Sequence, residues 1–251
     1  MLRTMLPEKK TYGLIGKNIN YSFSKNYFTN KFIKLKSKNC SYTNFDLLNI
    51  AEFENIILKN NLNGLNVTIP YKEKIIPYLD SLDLEAKLIG AVNTIKIDSN
   101  KKLKGYNTDY IGFLNSIKIH LTKKHKKAII LGSGGASKAI IHALKKLEIT
   151  SITVSRNNLK GNLTYNDLDR EVFNSCQIII NCSPVGTYPK VKECPNIPYQ
   201  YIDSRHICYD LIYNPEETQF LKKSRLNNAF VINGMKMLKL QAEESWKIWN
   251  S

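Results

Sequence analysis

A glycine-rich loop between an apolar run and a helical pattern constrains the fold of this chain more than any other segment. The loop reads Gly132-Ser133-Gly134-Gly135-Ala136-Ser137. Residues 128–131 before it are apolar, and residues 137–147 after it carry apolar side chains at helical spacing. A strand, a tight glycine turn and a helix in this order open a βαβ unit, whose strands are parallel. We therefore predict an α/β fold with largely parallel sheets.

The same loop has the features of a dinucleotide-binding site. Glycines let backbone N–H groups approach a pyrophosphate, and the start of a helix favours negative charge. Ser137 occupies the third position of the fingerprint, where a small residue allows the helix to pack on the strand. An ordinary glycine-rich loop is the alternative, but the flanking strand and helix favour a cofactor. The residues predicted to line it are Gly132, Ser133, Gly134, Gly135 and Ala136.

The end of the next predicted strand, 152–155, bears on the choice of cofactor. An enzyme that uses NAD usually carries Asp or Glu near this point, to bond the ribose 2′-hydroxyl. Here the chain reads Ser155-Arg156-Asn157, and Lys160 follows. A cation suits a 2′-phosphate, although a solvated arginine at a strand end is a common alternative. The absence of an acid favours NADP, bound with the help of Ser155, Arg156, Asn157 and Lys160.

Strand and helix patterns alternate along the rest of the chain, as in α/β proteins. The predicted strands are 12–15, 40–45, 64–68, 91–97, 103–106, 128–131, 152–155, 178–181, 208–211 and 230–232. The predicted helices are 24–36, 52–59, 71–79, 109–120, 137–147 and 235–249. Residues 91–97 and 103–106 are expected to form an antiparallel pair around a turn at 98–100.

Composition excludes several classes of function. The net charge is +16, but the lysines are scattered and no helix-turn-helix, zinc or stacking-aromatic motif accompanies them, so we predict no nucleic-acid partner. None of the five cysteines forms a C-x-x-C pair, which indicates reduced thiols without a disulfide framework or metal site. No apolar run reaches membrane length and the N-terminus lacks a secretory core, so we expect a cytoplasmic protein without a membrane partner.

Two further motifs place reactive side chains beside predicted strand ends. In Asn66-Val67-Thr68-Ile69-Pro70-Tyr71-Lys72 the strand ends at Thr68 and the proline breaks it. Lys72 then begins the predicted helix 71–79, where a lysine is unfavourable to the helix dipole. Asp109 stands where the strand 103–106 gives way to a helix. Taken alone, Lys72 is more typical of a surface lysine, and Asp109 is typical of a helix cap.

The order of these motifs resembles the shikimate dehydrogenase family, from about Tyr12 to the C-terminus. The segments that carry the resemblance are Tyr12-Gly-Leu-Ile-Gly16, Ser22-x-Ser24, Asn66-Val-Thr68-Ile-Pro70-x-Lys72, Gly90-Ala-Val-Asn93-Thr94, Asn107-Thr108-Asp109-x-x-Gly112, Gly132-x-Gly134-Gly135-Ala136-Ser137, Asp210-Leu-Ile-Tyr213-Asn-Pro215-x-x-Thr218 and Asn233-Gly234-Met-x-Met-Leu-x-x-Gln241-Ala242.

This resemblance implies two α/β domains with the active site in the cleft between them. The first, residues 1–107 plus 235–251, would bind the substrate, and the last helix would pack back on it. The second, residues 108–234, would be a Rossmann-like NADP-binding domain.

The resemblance also implies a role for each motif residue. Ser22 and Ser24 would bond the substrate carboxylate, although helix capping is an alternative role for both. Thr68, Asn93, Asp109 and Gln241 would bond its hydroxyls, helped by Tyr213. Lys72 and Asp109 would form the catalytic pair and also touch the substrate. Leu211 and Gly234 would complete the cofactor site.

The implied reaction is the reversible, NADPH-dependent reduction of 3-dehydroshikimate to shikimate, in the biosynthesis of chorismate and aromatic amino acids. Hydride transfer creates an alkoxide, which a lysine close to an aspartate can stabilise and protonate. Two alternatives stay open: a quinate/shikimate dehydrogenase that also uses NAD, and a non-catalytic relative that senses the cofactor. A homodimer is one oligomeric state that we consider.

Overall fold

The computed structural model describes residues 9–19 and 22–251. The chain divides into two compact units. The first runs to Thr108 and takes in Ser245–Ser251, and the second is Asp109–Glu244. The domain boundaries predicted from the sequence stay a prediction.

The first unit is built on a mixed sheet. Its described strands are β1 (Lys10–Gly16), β2 (Cys40–Asp46), β3 (Gly64–Val67), β4 (Ser81–Leu82), β5 (Thr94–Ile97) and β6 (Leu103–Tyr106). Its helices are α1 (Phe23–Lys34), α2 (Phe53–Lys59) and α3 (Leu84–Ile89). The sheet order is β2-β1-β3-β5-β6-β4. β1 runs parallel to β2 and β3, and β4 parallel to β6. β5 is antiparallel to β3 and β6, which confirms the predicted antiparallel pair.

The C-terminal end of the chain is anchored in the core of this unit. The last helix, α8 (Met235–Trp249), ends at a tryptophan that is almost fully buried. The Trp249 ring stacks on Tyr12 with centroids 4.7 Å apart, and its Nε1 donates to the carbonyl of Ile95 across 3.0 Å. The indole also fills the space that a Cβ at Gly64 would need. The packing of Trp249 at the end of α8 therefore requires glycine at position 64 in β3.

The helix predicted over residues 71–79 is wrong. Residues 72–75 form a turn, and a short 3₁₀ helix, Ile76–Tyr78, follows it. Pro77 lacks the N–H that an α-helix would donate to the carbonyl of Glu73. That carbonyl instead accepts from Ile76 N across 3.3 Å, a bond over three residues. Lys72 consequently lies in a turn and does not begin an α-helix.

The second unit contains an all-parallel sheet. Its described strands are β7 (Lys127–Leu131), β8 (Thr150–Val154), β9 (Ile178–Asn181), β10 (Ile207–Asp210) and β11 (Phe230–Ile232). Its helices are α4 (Asp109–Ile117), α5 (Gly135–Lys146), α6 (Arg170–Ser175), α7 (Gln219–Leu226) and most of α8. The sheet order is β11-β10-β9-β7-β8, with every pairing parallel. Ile130 packs into one hydrophobic cluster and Ile129 into another, so both faces of the sheet are buried.

The strand order positions a binding crevice. β7 lies between β8 and β9, so the connections that leave β7 and β9 diverge to opposite sides. Ligands of open α/β sheets bind at such a switch point, outside the carboxyl ends of the strands. The predicted glycine-rich loop begins directly at the carboxyl end of β7 and is therefore at this point.

Within residues 9–19 and 22–251, no helix has both the length and the apolar character needed to cross a membrane. The same residues hold no cluster of three or more His, Cys, Asp or Glu side chains arranged as metal ligands.

Candidate active site

The first glycine of the loop is fixed by its surroundings. Gly132 has a φ of +114°, a backbone angle that residues with a side chain rarely adopt. A Cβ at this position would lie 3.3 Å from the amide nitrogen of Ser183, in the loop after β9. The N–H of Gly132 donates to the carbonyl of Val154, at the end of β8, across 2.8 Å. Glycine thus lets the turn after β7 pass between the ends of the two neighbouring strands.

The loop opens onto the N-terminus of α5. Gly134 is the cap residue, and Gly135 and Ala136 begin the helix, whose first turn contains no acidic residue. A Cβ at Gly134 would meet no described atom within 4 Å, so the space beside the cap is open. Free N–H groups, the helix dipole and open space are what a pyrophosphate requires. These residues therefore fit a dinucleotide.

The end of β8 joins this loop through two serines. The hydroxyl oxygens of Ser133 and Ser155 are 3.1 Å apart and share a hydrogen bond. Asn157 donates its N–H to Ser155 Oγ across 3.3 Å, and its own Oδ1 accepts from Leu159 N across 2.8 Å. Asn157 therefore shapes the turn that leads to Lys160.

The charge at this edge of the sheet is positive. Arg156 and Lys160 are exposed, and no acid stands at the end of β8. Burial raises the pKa of Tyr165, and the nearby charge of Arg156 opposes that rise. A cationic edge without a carboxylate fits a 2′-phosphate better than a free 2′-hydroxyl.

Leu211 and Gly234, both predicted at the cofactor site, are in direct contact. Gly234 N donates to the carbonyl of Ile212 across 3.0 Å, and a Cβ at position 234 would overlap the carbonyl of Leu211. The loop after β10 therefore passes closely over the residue that precedes α8.

A buried carboxyl group at the end of β10 was not among the predicted site residues. Asp210 is fully buried, and its Oδ2 accepts from Thr218 Oγ1 across 2.6 Å. Its Oδ1 accepts from Asn181 Nδ2 across 3.1 Å and from Ile212 N across 3.0 Å. Burial raises the pKa of Asp210 to about 7, and these hydrogen bonds limit the rise. In the sequence, Asp210 extends an apolar run, which gives no sign of three partners.

In the first unit, the two predicted carboxylate ligands flank the start of α1. Ser22 is the N-cap, and its Oγ accepts from Ser24 N across 3.2 Å. Ser24 is buried; burial raises the pKa of the Tyr42 phenol, and the nearby Ser24 hydroxyl opposes that rise. The capping role considered for Ser22 is therefore present, and the role in binding a carboxylate stays a prediction for both serines.

A buried polar network, which the sequence did not reveal, continues from Tyr42. Its phenol donates to Asn66 Oδ1 across 2.8 Å. Asn66 Nδ2 donates to Ser245 Oγ on α8 across 3.0 Å, and Ser245 Oγ lies 2.8 Å from Thr94 Oγ1 and 3.2 Å from Thr108 Oγ1. A residue of the last helix thus joins three segments of the first unit through hydroxyl and amide groups.

Three of the predicted substrate residues are brought together in the first unit. Asn93 is buried, and its Oδ1 accepts from Thr108 N across 2.7 Å. Its carbonyl accepts from Val67 N, the residue before Thr68. The carbonyl of Lys72 accepts from Val92 N, the residue before Asn93. Backbone bonds therefore hold Thr68, Lys72 and Asn93 in adjacent segments.

The remaining predicted residues belong to the second unit. Asp109 is buried and is the first residue of α4. One turn later, a Cβ at Gly112 would lie 3.0 Å from the Cβ of Gln241 and 2.7 Å from the carbonyl of Met237. The missing side chain lets α4 and α8 approach, so Gln241 lies against the helix that Asp109 begins. Tyr213 is half-buried in the loop after β10. The pairing of Lys72 with Asp109 stays a prediction.

Comparison with known proteins gives concordant results. Residues 14–95 match the family model for the shikimate dehydrogenase substrate binding domain. A shikimate dehydrogenase (NADP(+)) of Clostridium botulinum is 42% identical over 250 residues, which cover 95% of this chain and 96% of that protein. A shikimate dehydrogenase crystallised with NADP+ is 35% identical, with a TM-score of 0.85 over 96% of this chain and 90% of its own. The Thermus thermophilus shikimate 5-dehydrogenase in complex with NADP(H) and shikimate is 25% identical, with a TM-score of 0.84 over 96% of this chain and 93% of its own.

Proposed function

The chain belongs to the shikimate dehydrogenase family, and from this premise we propose that it is an NADP-dependent shikimate dehydrogenase. It reduces the ketone of 3-dehydroshikimate to shikimate, reversibly, in the biosynthesis of chorismate and aromatic amino acids. Full-length similarity to enzymes that carry this name supports the proposal. The observation that carries the choice of cofactor is the cationic, acid-free end of β8 beside the glycine loop.

The second unit binds the cofactor. Gly132–Ala136 and the N-terminus of α5 hold the pyrophosphate, and Ser155, Arg156, Asn157 and Lys160 hold the ribose 2′-phosphate. Leu211 and Gly234 line the remainder. NADPH supplies the hydride when bound, and the task of the protein is to align it with the ketone and exclude water.

The substrate-binding residues bind the carboxylate of the substrate and the hydroxyl groups on its ring. Ser22 and Ser24 offer two hydroxyl donors for the carboxylate. Thr68, Asn93, Tyr213 and Gln241 offer hydroxyl and amide groups, which suit hydroxyl recognition because they both donate and accept. Buried polar groups of this kind also reject analogues that lack the matching hydroxyl.

Lys72 and Asp109 carry the proton. As the ketone is reduced, negative charge develops on its oxygen, and the ammonium of Lys72 stabilises that charge and donates the proton. Asp109 hydrogen-bonds the substrate hydroxyl. Neither role requires a metal ligand.

The test is an assay of NADPH oxidation, followed at the nicotinamide absorbance, with purified protein and 3-dehydroshikimate. The reverse reaction is run with shikimate and with quinate, and both directions are repeated with NAD(H). We expect turnover with 3-dehydroshikimate and shikimate, and a preference for NADP(H). Efficient use of quinate with NAD would favour the quinate/shikimate alternative, and NADPH binding without turnover would favour the cofactor-sensing one.

We also propose that the enzyme acts in the cytoplasm and that it forms a homodimer. An enzyme that uses NADPH and whose own cysteines are free thiols suits the reducing cytoplasm. Light scattering after size-exclusion chromatography tests the homodimer: a mass near 57.6 kDa, twice the chain mass of 28.8 kDa, supports it, and a mass of one chain contradicts it.

A further inference from the structure

The buried carboxyl group of Asp210 connects three separate segments at the carboxyl ends of the second sheet. Through Asn181 it reaches the loop after β9, through Ile212 N the loop after β10, and through Thr218 the start of α7. Thr218 Oγ1 is itself the N-cap acceptor for Leu221 N. Asp210 is thus the point at which these segments are joined.

Two of these segments form the candidate cofactor site. Asn181 Oδ1 accepts from the backbone and hydroxyl of Ser183, at 3.1 and 2.7 Å, and Ser183 N is the atom that abuts Gly132. On the other side, Ile212 is adjacent to Leu211, which packs against Gly234. A displacement of Asp210 would therefore move both the loop after β9 and the loop after β10 at the candidate cofactor site.

We propose that Asp210 is a positioning residue of the cofactor site: its carboxyl group holds the loops after β9 and β10 together, and its charge state sets how tightly NADPH binds near neutral pH. This inference rests on the proposed function. It assigns Asp210 no contact with the substrate or with the reacting atoms.

The network tolerates either charge state. The carboxylate accepts all three hydrogen bonds. After protonation on Oδ2, the new O–H can donate to Thr218 Oγ1, because a hydroxyl both donates and accepts, while Oδ1 keeps Asn181 and Ile212. Titration therefore changes the charge at this point and leaves the three contacts in place.

Titration falls in the neutral range because no cation among the described partners offsets the burial. The three partners are an amide, a backbone N–H and a hydroxyl. The titratable groups whose charges couple to Asp210 are Cys182, Tyr199 and Tyr209, and burial raises the pKa of each, so they are neutral at pH 7. Burial likewise raises the pKa of Asp210 to about 7. NADPH is a polyanion, so an ionised Asp210 opposes its binding.

The experiment measures NADPH dissociation constants by nicotinamide fluorescence at pH 6 and pH 8. The proteins are wild type, Asp210→Asn and Asp210→Ala, with Ser116→Ala as a control. The amide introduced by Asp210→Asn is neutral at both pH values and can keep all three contacts. Ser116→Ala removes a buried hydrogen bond of 2.7 Å to Tyr209 in the same unit.

From pH 6 to pH 8, the wild-type dissociation constant should rise relative to that of Asp210→Asn by roughly 3- to 10-fold, as expected for a unit charge that repels an anion through protein. At pH 8 Asp210→Asn should bind NADPH more tightly than wild type. Asp210→Ala should bind it roughly tenfold more weakly at both pH values, because the loops lose their shared partner. Shikimate affinity and the binding of NADPH by Ser116→Ala should stay near wild type.

The inference is overturned if the NADPH dissociation constants of wild type and Asp210→Asn change with pH in the same way. It is also overturned if Asp210→Ala lowers the melting temperature without weakening NADPH binding, which is the result expected of Ser116→Ala. If Asp210→Ala does not fold, the comparison with Asp210→Asn still decides. Wild-type protein that binds no NADPH at either pH would contradict the proposed function as well, so the two failures are distinguishable.

Discussion

The amide nitrogen of Ser183 lies 3.3 Å from the point that a Cβ at Gly132 would occupy, and Gly132 itself has a φ of +114°. The turn after β7 and the loop after β9 therefore need glycine at this position for two reasons, conformation and space.

Gly132→Ala should lower both stability and NADPH affinity. The forced φ costs about 1–3 kcal/mol, and the displaced turn moves the N–H groups at the start of α5. Gly134→Ala is the matched control, since its φ of −86° suits alanine and the added Cβ meets no described atom within 4 Å. It should lose less stability than Gly132→Ala, because alanine is only a poorer N-cap than glycine, and it should lose NADPH affinity because the methyl group occupies the open space. Equal stability loss in both variants would contradict this account of the loop.

Arg156→Ala should weaken NADPH binding by about 1.5–3 kcal/mol, the range for hydrogen bonds to charged groups, and barely change NADH binding. Because Arg156 is exposed, the preference for NADPH should narrow as ionic strength rises. The measurement is kcat/KM for both cofactors at low and high salt, with the exposed Arg170→Ala as the control. Equal use of both cofactors by the wild type would refute this assignment.

Replacing Ser22 and Ser24 with alanine should separate capping from substrate binding. Removal of the Ser22 cap should cost about 1 kcal/mol of stability. Asp83→Ala removes the cap of α3 in the same unit and should cost a similar amount without affecting ligands. The double serine variant should in addition bind shikimate more weakly and NADPH normally. A fall in melting temperature alone, matching Asp83→Ala, would leave capping as the role of Ser22 and no substrate role for either serine.

The stability of the protein should depend on the titration of Asp210. Its pKa is about 7 in the folded protein and 3.8 in the unfolded chain, so between these values the folded state binds the extra proton. This contribution is fully present below pH 3.8 and is lost as pH rises through 7. The free energy of unfolding should therefore decrease by a few kcal/mol from about pH 5 to about pH 8 in wild type relative to Asp210→Asn. Urea unfolding at both pH values gives the difference directly, and parallel curves for the two proteins would contradict it.

The local patterns of the sequence were sufficient to predict much of the fold. Strands 178–181 and 230–232 and the helix 235–249 coincide with Ile178–Asn181, Phe230–Ile232 and Met235–Trp249, because apolar periodicity is a local property. The parallel arrangement followed from the alternation of strands and helices. The prediction of a helix over 71–79 is wrong because apolar spacing alone does not register that Pro77 has no N–H to donate within an α-helix. The short helices α3, α6 and α7 were not predicted at all.

The polar networks could not be predicted in the same way. Asn66 and Ser245 are 179 residues apart, and Asp210 reaches Asn181 across 29 residues, so only tertiary structure brings them together. The family resemblance predicted Thr68, Asn93 and Gln241 as site residues, whereas Tyr42 and Ser245 of the buried network gave no signal in the sequence. Family resemblance supplied the roles of individual residues, and apolar periodicity alone would not have.

The steady-state rate of NADPH oxidation with 3-dehydroshikimate, in wild type and Lys72→Ala, tests the central claim most directly. Lys74→Ala is the matched control, because Lys74 is an exposed lysine in the same turn. We expect wild type and Lys74→Ala to turn over alike, and Lys72→Ala to lose roughly 10²–10⁴-fold in kcat, the usual contribution of a general acid–base group, with a much smaller change in substrate KM. Near-normal turnover by Lys72→Ala, or no turnover by the wild type, would contradict the account.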